Sequence, residues 1–458
     1  MNVATQLIAS SDTRVVVGLG ATGLSCARHL VTQGVSFSVI DTRVNPPGLD
    51  QLKAEMPQVP VYAGVYPVEL LAAASEVIVS PGVAMDDDIV LQAKAAGVSV
   101  CGDIDLFMRK ANAPVVAITG SNAKSTVTEL VGAMAVAAGK NVGVGGNLGT
   151  PALELLSPER ELYVLELSSF QLERAGELGV DVATVLNVTA DHLDRHHSVP
   201  EYHRAKHRIF FGCKSAVMNR DDALTIPLLP EDVARVSWRM REPELNGFGL
   251  RTVESVETLC HGFDAVMPVA DLAMAGRHNI ANALAALALG HSIGLSMSAM
   301  VSVLRVFTGL PHRCEPVVEH EQVRFVNDSK GTNVGAAQAA LEGLGGNRDI
   351  VLIAGGQGKG ADFAVLQGPI AEHCKAVVLI GEDAAKMQSQ LSNAATVYLA
   401  DSMREAVSKA VEIAGPGDCV LLSPACASFD MFSGYEARGN AFRNEVMVQL
   451  GLEAEAKQ

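Results

Sequence analysis

Along the chain, short aliphatic runs lack the alternation of a half-exposed strand, and each breaks into glycine and then into a helical pattern. Arg14-Val-Val-Val-Gly-Leu-Gly20 is the first, Pro114-Val-Val-Ala-Ile-Thr-Gly120 the second and Asp349-Ile-Val-Leu-Ile-Ala-Gly-Gly356 the third. Uniformly apolar runs of this length are strands covered on both faces. Helical periodicity follows, as over Leu24–Thr32 and Ser125–Ala138. Repeated strand–glycine–helix order predicts doubly wound α/β units. Further strands are expected at Ser36–Ile40, Glu76–Ser80, Tyr163–Leu167 and Val182–Asn187, and near 350–354, 376–380, 396–399 and 418–422. An Ala/Leu-rich helix is expected over Asn279–Ala288. The tail Gly451–Gln458 reads as frayed.

Length divides this pattern. A chain of 458 residues suggests about three domains, placed at 1–102, 103–309 and 310–458. Hydrophobic residues make up 48% and aromatics only 4%, so aliphatic side chains must fill the cores, as in covered parallel sheets. A formal charge of −16 repels nucleic acid and anionic membranes. Any phosphate bound here needs local backbone N–H groups and a few placed cations. Met1–Arg14 has no basic segment leading into an apolar core, and no apolar run reaches the ~18 residues of a membrane span. No membrane insertion and a cytoplasmic location are therefore expected. The eight cysteines form no C-x-x-C pair and read as reduced, small hydrophobes.

The chemistry concentrates at the glycine turns. Thr119-Gly120-Ser121-Asn122-Ala123-Lys124-Ser125-Thr126 follows a strand and opens a helix. A phosphate cradle needs converging N–H groups, a lysine for the terminal phosphates and a hydroxyl for Mg²⁺. The helix adds its positive end. Ile118 and Ala123 stand where the Walker pattern has glycine. In the first domain, Gly18-Leu-Gly20-Ala-Thr-Gly23 precedes a helix, and Asp41 ends the next strand 18 residues later. That is a dinucleotide fingerprint, and read alone it indicates an NAD(P)-dependent dehydrogenase. Glu166, in Val164-Leu-Glu166-Leu-Ser168-Ser-Phe-Gln171, ends a buried strand beside the phosphate loop, where Mg²⁺ is held.

Asp191–His207 contains five of the twelve histidines. The pairs His192/His196 and His203/His207 have the i, i+4 spacing that would suit zinc if each pair were helical, but a zinc site is the less favoured reading. Neutral His192 near Mg²⁺ and phosphate is preferred. Lys206, by composition, belongs to a solvated basic face. Asn279 and Asn282 share a helix face. Loops Asn327–Thr332, Gly355–Lys359 and Ser423–Ser428 follow strands at the usual ligand edge of a sheet.

Together these segments resemble the Mur ligase family over roughly residues 14–450. The resemblance rests on the phosphate loop, Glu166–Glu173, Asn187–Asp194, Gly309-Leu-Pro-His312-Arg313, Asp328-Ser-Lys330-Gly-Thr332-Asn and Ser423–Phe432. It implies a Rossmann-like N-terminal domain for a UDP substrate, a central P-loop ATPase domain and a C-terminal Rossmann-like α/β domain for an amino acid. It also implies a monomer that uses ATP and two Mg²⁺ sites to join D-glutamate to UDP-N-acetylmuramoyl-L-alanine.

Position by position, Ala21, Thr22, Asp41, Thr42, Arg43, Ser80 and Gly82 would hold the UDP end. Asn147, Gln171 and His192 would meet the sugar-peptide or its metal. Gly120, Asn122, Ala123, Lys124, Ser125 and Thr126 would grip ATP phosphates. Asn279, Asn282, Arg313, Asp328 and Lys330 would complete the nucleotide pocket. Thr332, Lys359, Ser428 and Tyr435 would receive D-glutamate. Metal ligands would be Ser125, Glu166, His192 and a carbamylated Lys206. Lys124, His192, Lys206, Arg313 and Lys330 would carry catalysis. The chain departs from the family pattern at Ala123 (glycine), Gln357 (aspartate), His196 (tyrosine) and Tyr435 (phenylalanine). Ala123 would be strained if φ there is positive.

Overall fold

The computed structural model describes residues 13–274 and 276–452. The expectations for Met1–Asp12 and for Glu453–Gln458 of the tail lie outside the described residues. Three separate sheets follow one another along the chain. The first contains β1 (Arg14–Val17), β2 (Phe37–Asp41), β3 (Val61–Ala63), β4 (Glu76–Val79) and β5 (Ser99–Cys101). All are parallel, in the order β3-β2-β1-β4-β5. The glycine turn after β1 therefore lies where the strand order reverses, the ligand crevice of such sheets. Its third glycine is required by packing, since a Cβ on Gly23 would lie 1.9 Å from the Gly18 carbonyl oxygen. The helix after it runs Ala21–Thr32, one turn earlier than expected.

The second sheet contains β6 (Val115–Thr119), β7 (Val142–Gly146), β8 (Leu162–Glu166), β9 (Val182–Val185), β10 (Ser215–Asn219), β11 (Ala234–Trp238), β12 (Gly247–Val253), β13 (Val256–His261) and β14 (Asp264–Pro268). Its order is β14-β13-β12-β11-β10-β9-β6-β8-β7. Strand β6 shows why the sheet must be covered twice. Val115 and Ala117 pack into one core cluster, whereas Val116 and Ile118 pack into another. The helix Lys124–Ala137 covers one of these faces. The predicted helix at Asn279–Ala288 extends over Arg277–Ser292. Antiparallel β12–β14 had no counterpart in the sequence reading.

The third sheet contains β15 (Glu315–His320), β16 (Val323–Asn327), β17 (Ile350–Gly355), β18 (Cys374–Ile380), β19 (Thr396–Leu399) and β20 (Cys419–Leu422), in the order β15-β16-β20-β17-β18-β19. Only β15 is antiparallel. All eight cysteines are unpaired and all but Cys314 are buried. No described helix is long and apolar enough to cross a membrane.

Candidate active site

The phosphate loop leaves the C-terminal end of β6 between β8 and β9. Asn187 holds it from the neighbouring strand end: its Oδ1 accepts from Asn122 N at 2.8 Å and its carbonyl from Ser121 N at 2.9 Å. Ala123 then takes φ 68°, ψ −7°, a left-handed conformation, and the helix begins at Lys124. The strain anticipated at Ala123 is therefore present.

Around this loop the chain assembles its opposing charges. Ser125 Oγ donates to Glu166 Oε2 at 2.5 Å, and Asn147 Nδ2 donates to Glu166 Oε1 at 2.7 Å. Glu166 is 2% exposed. Lys124 Nζ donates to the Gly120 and Ser121 carbonyls at 2.9 Å each. From the third unit, Arg313 donates to Ser125 Oγ at 2.5 Å. Asn333 donates to Asn122 Oδ1 and to Asp191 Oδ2 at 3.2 and 2.9 Å. Burial lowers the basicity of both Lys124 and Arg313. It also holds Lys330 down at about 8, with help from the Arg313 charge. Lys330 Nζ lies 3.7 Å from the Tyr435 ring centroid.

Lys206 corrects the sequence reading. It does not face solvent: it is 1% exposed, and its Nζ donates to the Gly120 carbonyl at 2.7 Å. The helix Val199–His207 turns Tyr202, Ala205 and Lys206 inward. Burial first, then the Lys124 charge, pushes the Lys206 ammonium well below the usual lysine range. Of the two histidine pairs, only His203/His207 lies within one helix, Val199–His207. His192 caps the short helix Leu193–His196 with φ 53°, and the His203 and His207 rings lie 4.0 Å apart, tilted by 30°. Among the described residues no group of three or more His, Cys, Asp or Glu side chains could hold a metal.

A cavity of about 240 Å³ spans the seam beside the loop. It brings together Asn122, Ala123, Thr126, Asn279, Asn282, Arg313, Asp328 and Lys330. Asn282 Nδ2 donates to Asn279 Oδ1 at 2.9 Å. Burial lifts Asp328 to about 6, while its carboxylate accepts from Ser423 Oγ at 2.7 Å. A second cavity of about 400 Å³ joins Asp191 and His192 to Thr332 and Lys359.

Family models match across the chain: "Mur ligase MurD-like, N-terminal domain" over residues 12–102, "Mur ligase middle domain" over 118–290 and "Mur ligase, glutamate ligase domain" over 312–426. Curated relatives named UDP-N-acetylmuramoylalanine–D-glutamate ligase align over nearly the whole length. That of Pseudomonas savastanoi pv. phaseolicola is 55% identical, covering 96% of this chain and 99% of its own. That of Marinobacter nauticus is 50% identical over the same shares. This chain belongs to the Mur ligase family. Solved members share the fold at lower identity. MurF ligase from Thermotoga maritima, in complex with ADP, superposes with TM-score 0.60 at 16% identity, covering 95% of each chain. UDP-N-acetylmuramate-alanine ligase MurC from the same organism gives 0.57 at 18%, covering 95% of this chain and 99% of its own. The dehydrogenase alternative finds no support in these relatives.

The remaining candidates of this Mur ligase fall in several places. Asp41 accepts from Leu19 N at 2.7 Å and from Arg43 Nη2 at 2.7 Å, and Ser80 Oγ donates to the Gly18 carbonyl at 2.8 Å. Ala21 and Thr22 open the first helix, Thr42 follows β2, and Gly82 follows the Ser80-Pro81 turn. Gln171 is committed within the protein: its Nε2 donates to Asp103 Oδ2 at 2.9 Å, and its Oε1 caps Ser168. Neither Ser428, 2% exposed, nor Tyr435 lines the cavity of Thr332 and Lys359. Asn187, Asn219, Trp238 and His278 also line the cavity beside the phosphate loop, and the sequence assigns them no role. The signals available were an Asn at the end of β10 and the one tryptophan of the chain.

Proposed function

We propose that this chain uses ATP to join the amine of D-glutamate to the L-alanyl carboxylate of UDP-N-acetylmuramoyl-L-alanine, through an acyl phosphate, in peptidoglycan precursor synthesis. The observation that carries the reading is 50–55% identity, across almost the full chain, to relatives bearing that ligase name. The site supports it, because the phosphate loop meets the Arg313 guanidinium from the third unit and the buried Lys206 amine from the helix Val199–His207.

The chemistry follows from the groups present. A carboxylate does not acylate an amine directly. Transfer of the γ-phosphoryl group to its oxygen supplies a leaving group. Lys124 and Arg313 stabilise the charge on the transferring phosphoryl. The D-glutamate amine then bonds to the acyl carbon, the carbon–oxygen bond to phosphate breaks, and the amine proton is released. Thr332 and Lys359, which share a cavity with His192, would hold D-glutamate. Ala21, Thr22, Asp41, Thr42, Arg43, Ser80 and Gly82 would hold the UDP end.

The family implies Mg²⁺, and the donor set fits it. Ser125 Oγ and a Glu166 oxygen already meet at 2.5 Å, and oxygen donors of this kind suit Mg²⁺. When bound, the ion offsets negative charge on the phosphates. Lys206 fits a second site only after modification. Burial makes its ammonium easier to deprotonate, and the neutral amine can add CO₂ by forming an N–C bond and losing a proton. The resulting carbamate would supply oxygen donors that the lysine itself lacks.

The test is product formation. Purified protein is incubated with ATP, Mg²⁺, UDP-N-acetylmuramoyl-L-alanine and D-glutamate, and the nucleotide-linked product is weighed by mass spectrometry. A product carrying one added glutamate, absent when any component is omitted, supports the proposal. No such product from folded protein refutes it.

A further inference from the structure

Between the first and second units, Arg174 makes an extensive polar contact. Arg174 ends the helix Ser169–Arg174 of the second unit, and its side chain is 0% exposed. Its Nε donates to the Phe170 carbonyl at 2.6 Å. The guanidinium then crosses the seam to the turn after β4. Nη1 donates to the Ser80 carbonyl at 2.5 Å and reaches that of Val79 at 3.4 Å. Nη2 donates to the Val83 and Pro81 carbonyls at 3.1 and 3.3 Å, and to Glu173 Oε1 at 2.8 Å. A planar fork with five donors can hold several fixed acceptors at once, which a lysine cannot.

Two further contacts converge on this turn. Arg195 Nη2 donates to the same Val83 carbonyl at 2.9 Å and to Glu173 Oε1 at 2.6 Å. Ser80 Oγ in turn fixes the Gly18 carbonyl of the first glycine loop. Room for the Arg174 stem is built in, since a Cβ on Gly102 would lie 2.8 Å from Arg174 Cγ. Arg174 stands eight residues after Glu166, and Arg195 three after His192. Both helices that follow the metal-site residues thus end on the turn carrying Ser80 and Gly82.

We propose that Arg174 is a positioning residue for the UDP end of the substrate, holding the Ser80–Val83 turn and, through Ser80, the Gly18–Gly20 loop. The inference rests on the UDP reading of Ser80 and Gly82 given above. Loss of the fork frees the turn carbonyls, so the substrate must order the turn on binding. The cost falls on affinity for that substrate, whereas ATP and D-glutamate bind elsewhere on the seam.

The experiment is steady-state kinetics with each of the three substrates varied in turn, for wild type, Arg174→Lys and Arg174→Ala. Calorimetric binding of UDP alone gives a readout that does not depend on turnover. Arg174→Ala is expected to raise KM for the UDP substrate about tenfold or more, with KM for ATP and D-glutamate unchanged. Arg174→Lys is expected to fall between, because its ammonium reaches fewer of the carbonyls. If Arg174→Ala does not fold, the Lys variant carries the test. Equal KM values for the UDP substrate, or a parallel loss for all three substrates, overturn the proposal. Wild-type protein that binds UDP without turnover would refute the ligase reading instead, and weaker UDP binding by the variants would still support Arg174. UDP binding unchanged in both variants overturns it.

Discussion

Replacing Ala123 by glycine should leave the protein as stable or make it more so, although the substitution adjoins a helix. The structure gives the sign. Ala123 sits at φ 68°, ψ −7°, where an L side chain costs about 1–2 kcal/mol. Glycine relieves that strain but loses about 0.4–1 kcal/mol more conformational entropy on folding. The net expectation is a gain between about 0 and 1.5 kcal/mol. Ala133, in the body of the same helix, is the control, because glycine there should cost about 1 kcal/mol. The assay is urea unfolding followed by tryptophan fluorescence. Trp238 is the only tryptophan, is 5% exposed and packs in the core that covers this helix, so it reports on the second unit alone. Destabilisation of Ala123→Gly as large as that of Ala133→Gly would refute the assignment of strain to this loop.

Lys124→Ala should fold and lose turnover, and an active variant would exclude the loop as the γ-phosphate site. Wild-type activity should fall when dissolved CO₂ is removed and recover on bicarbonate addition; Lys206→Ala should be inactive under both conditions, and indifference of the wild type to CO₂ would exclude the carbamate. Arg438 is 1% exposed and donates to Ser329 and to the Cys426 and Ala427 carbonyls, so Arg438→Met should cost about 3 kcal/mol or more in urea unfolding of the third unit. His278 is held down to about 4 by burial. A base so depressed contributes stability above its unfolded value near 6.5 that is lost as pH falls toward 4. Between pH 7 and 5, wild type should therefore lose about 1–2 kcal/mol more than His278→Gln, and parallel pH curves would contradict this.

Much of this architecture was readable because local chemistry and fold agree. Apolar β6 ends in Gly120 and leads into a helix, so pattern and turn residue both mark the loop. The Ala123 strain was readable for the same reason, as a residue at odds with its place. The failures are tertiary. Lys206 and its neighbours Arg204 and Arg208 look alike in sequence, and only the packing of Val199–His207 under the loop buries one of them. Arg174 and Arg438 are likewise surface-like residues until the carbonyls around them are known. Antiparallel β12–β14 carry mixed polar and apolar positions of a half-exposed sheet, which lack the uniform runs of the parallel strands. Gln171 is a further case, since motif position gives no sign that the fold uses its amide internally, on Asp103 and Ser168.

The central claim is that ATP activates the L-alanyl carboxylate as an acyl phosphate at the seam of Lys124, Glu166, Lys206 and Arg313. Substrate labelled with oxygen-18 in that carboxylate tests it most directly. Released inorganic phosphate is collected from a reaction containing ATP and D-glutamate and is weighed by mass spectrometry. The expected phosphate carries one oxygen from the substrate, in step with amide formation. Unlabelled phosphate accompanying the amide product would contradict it.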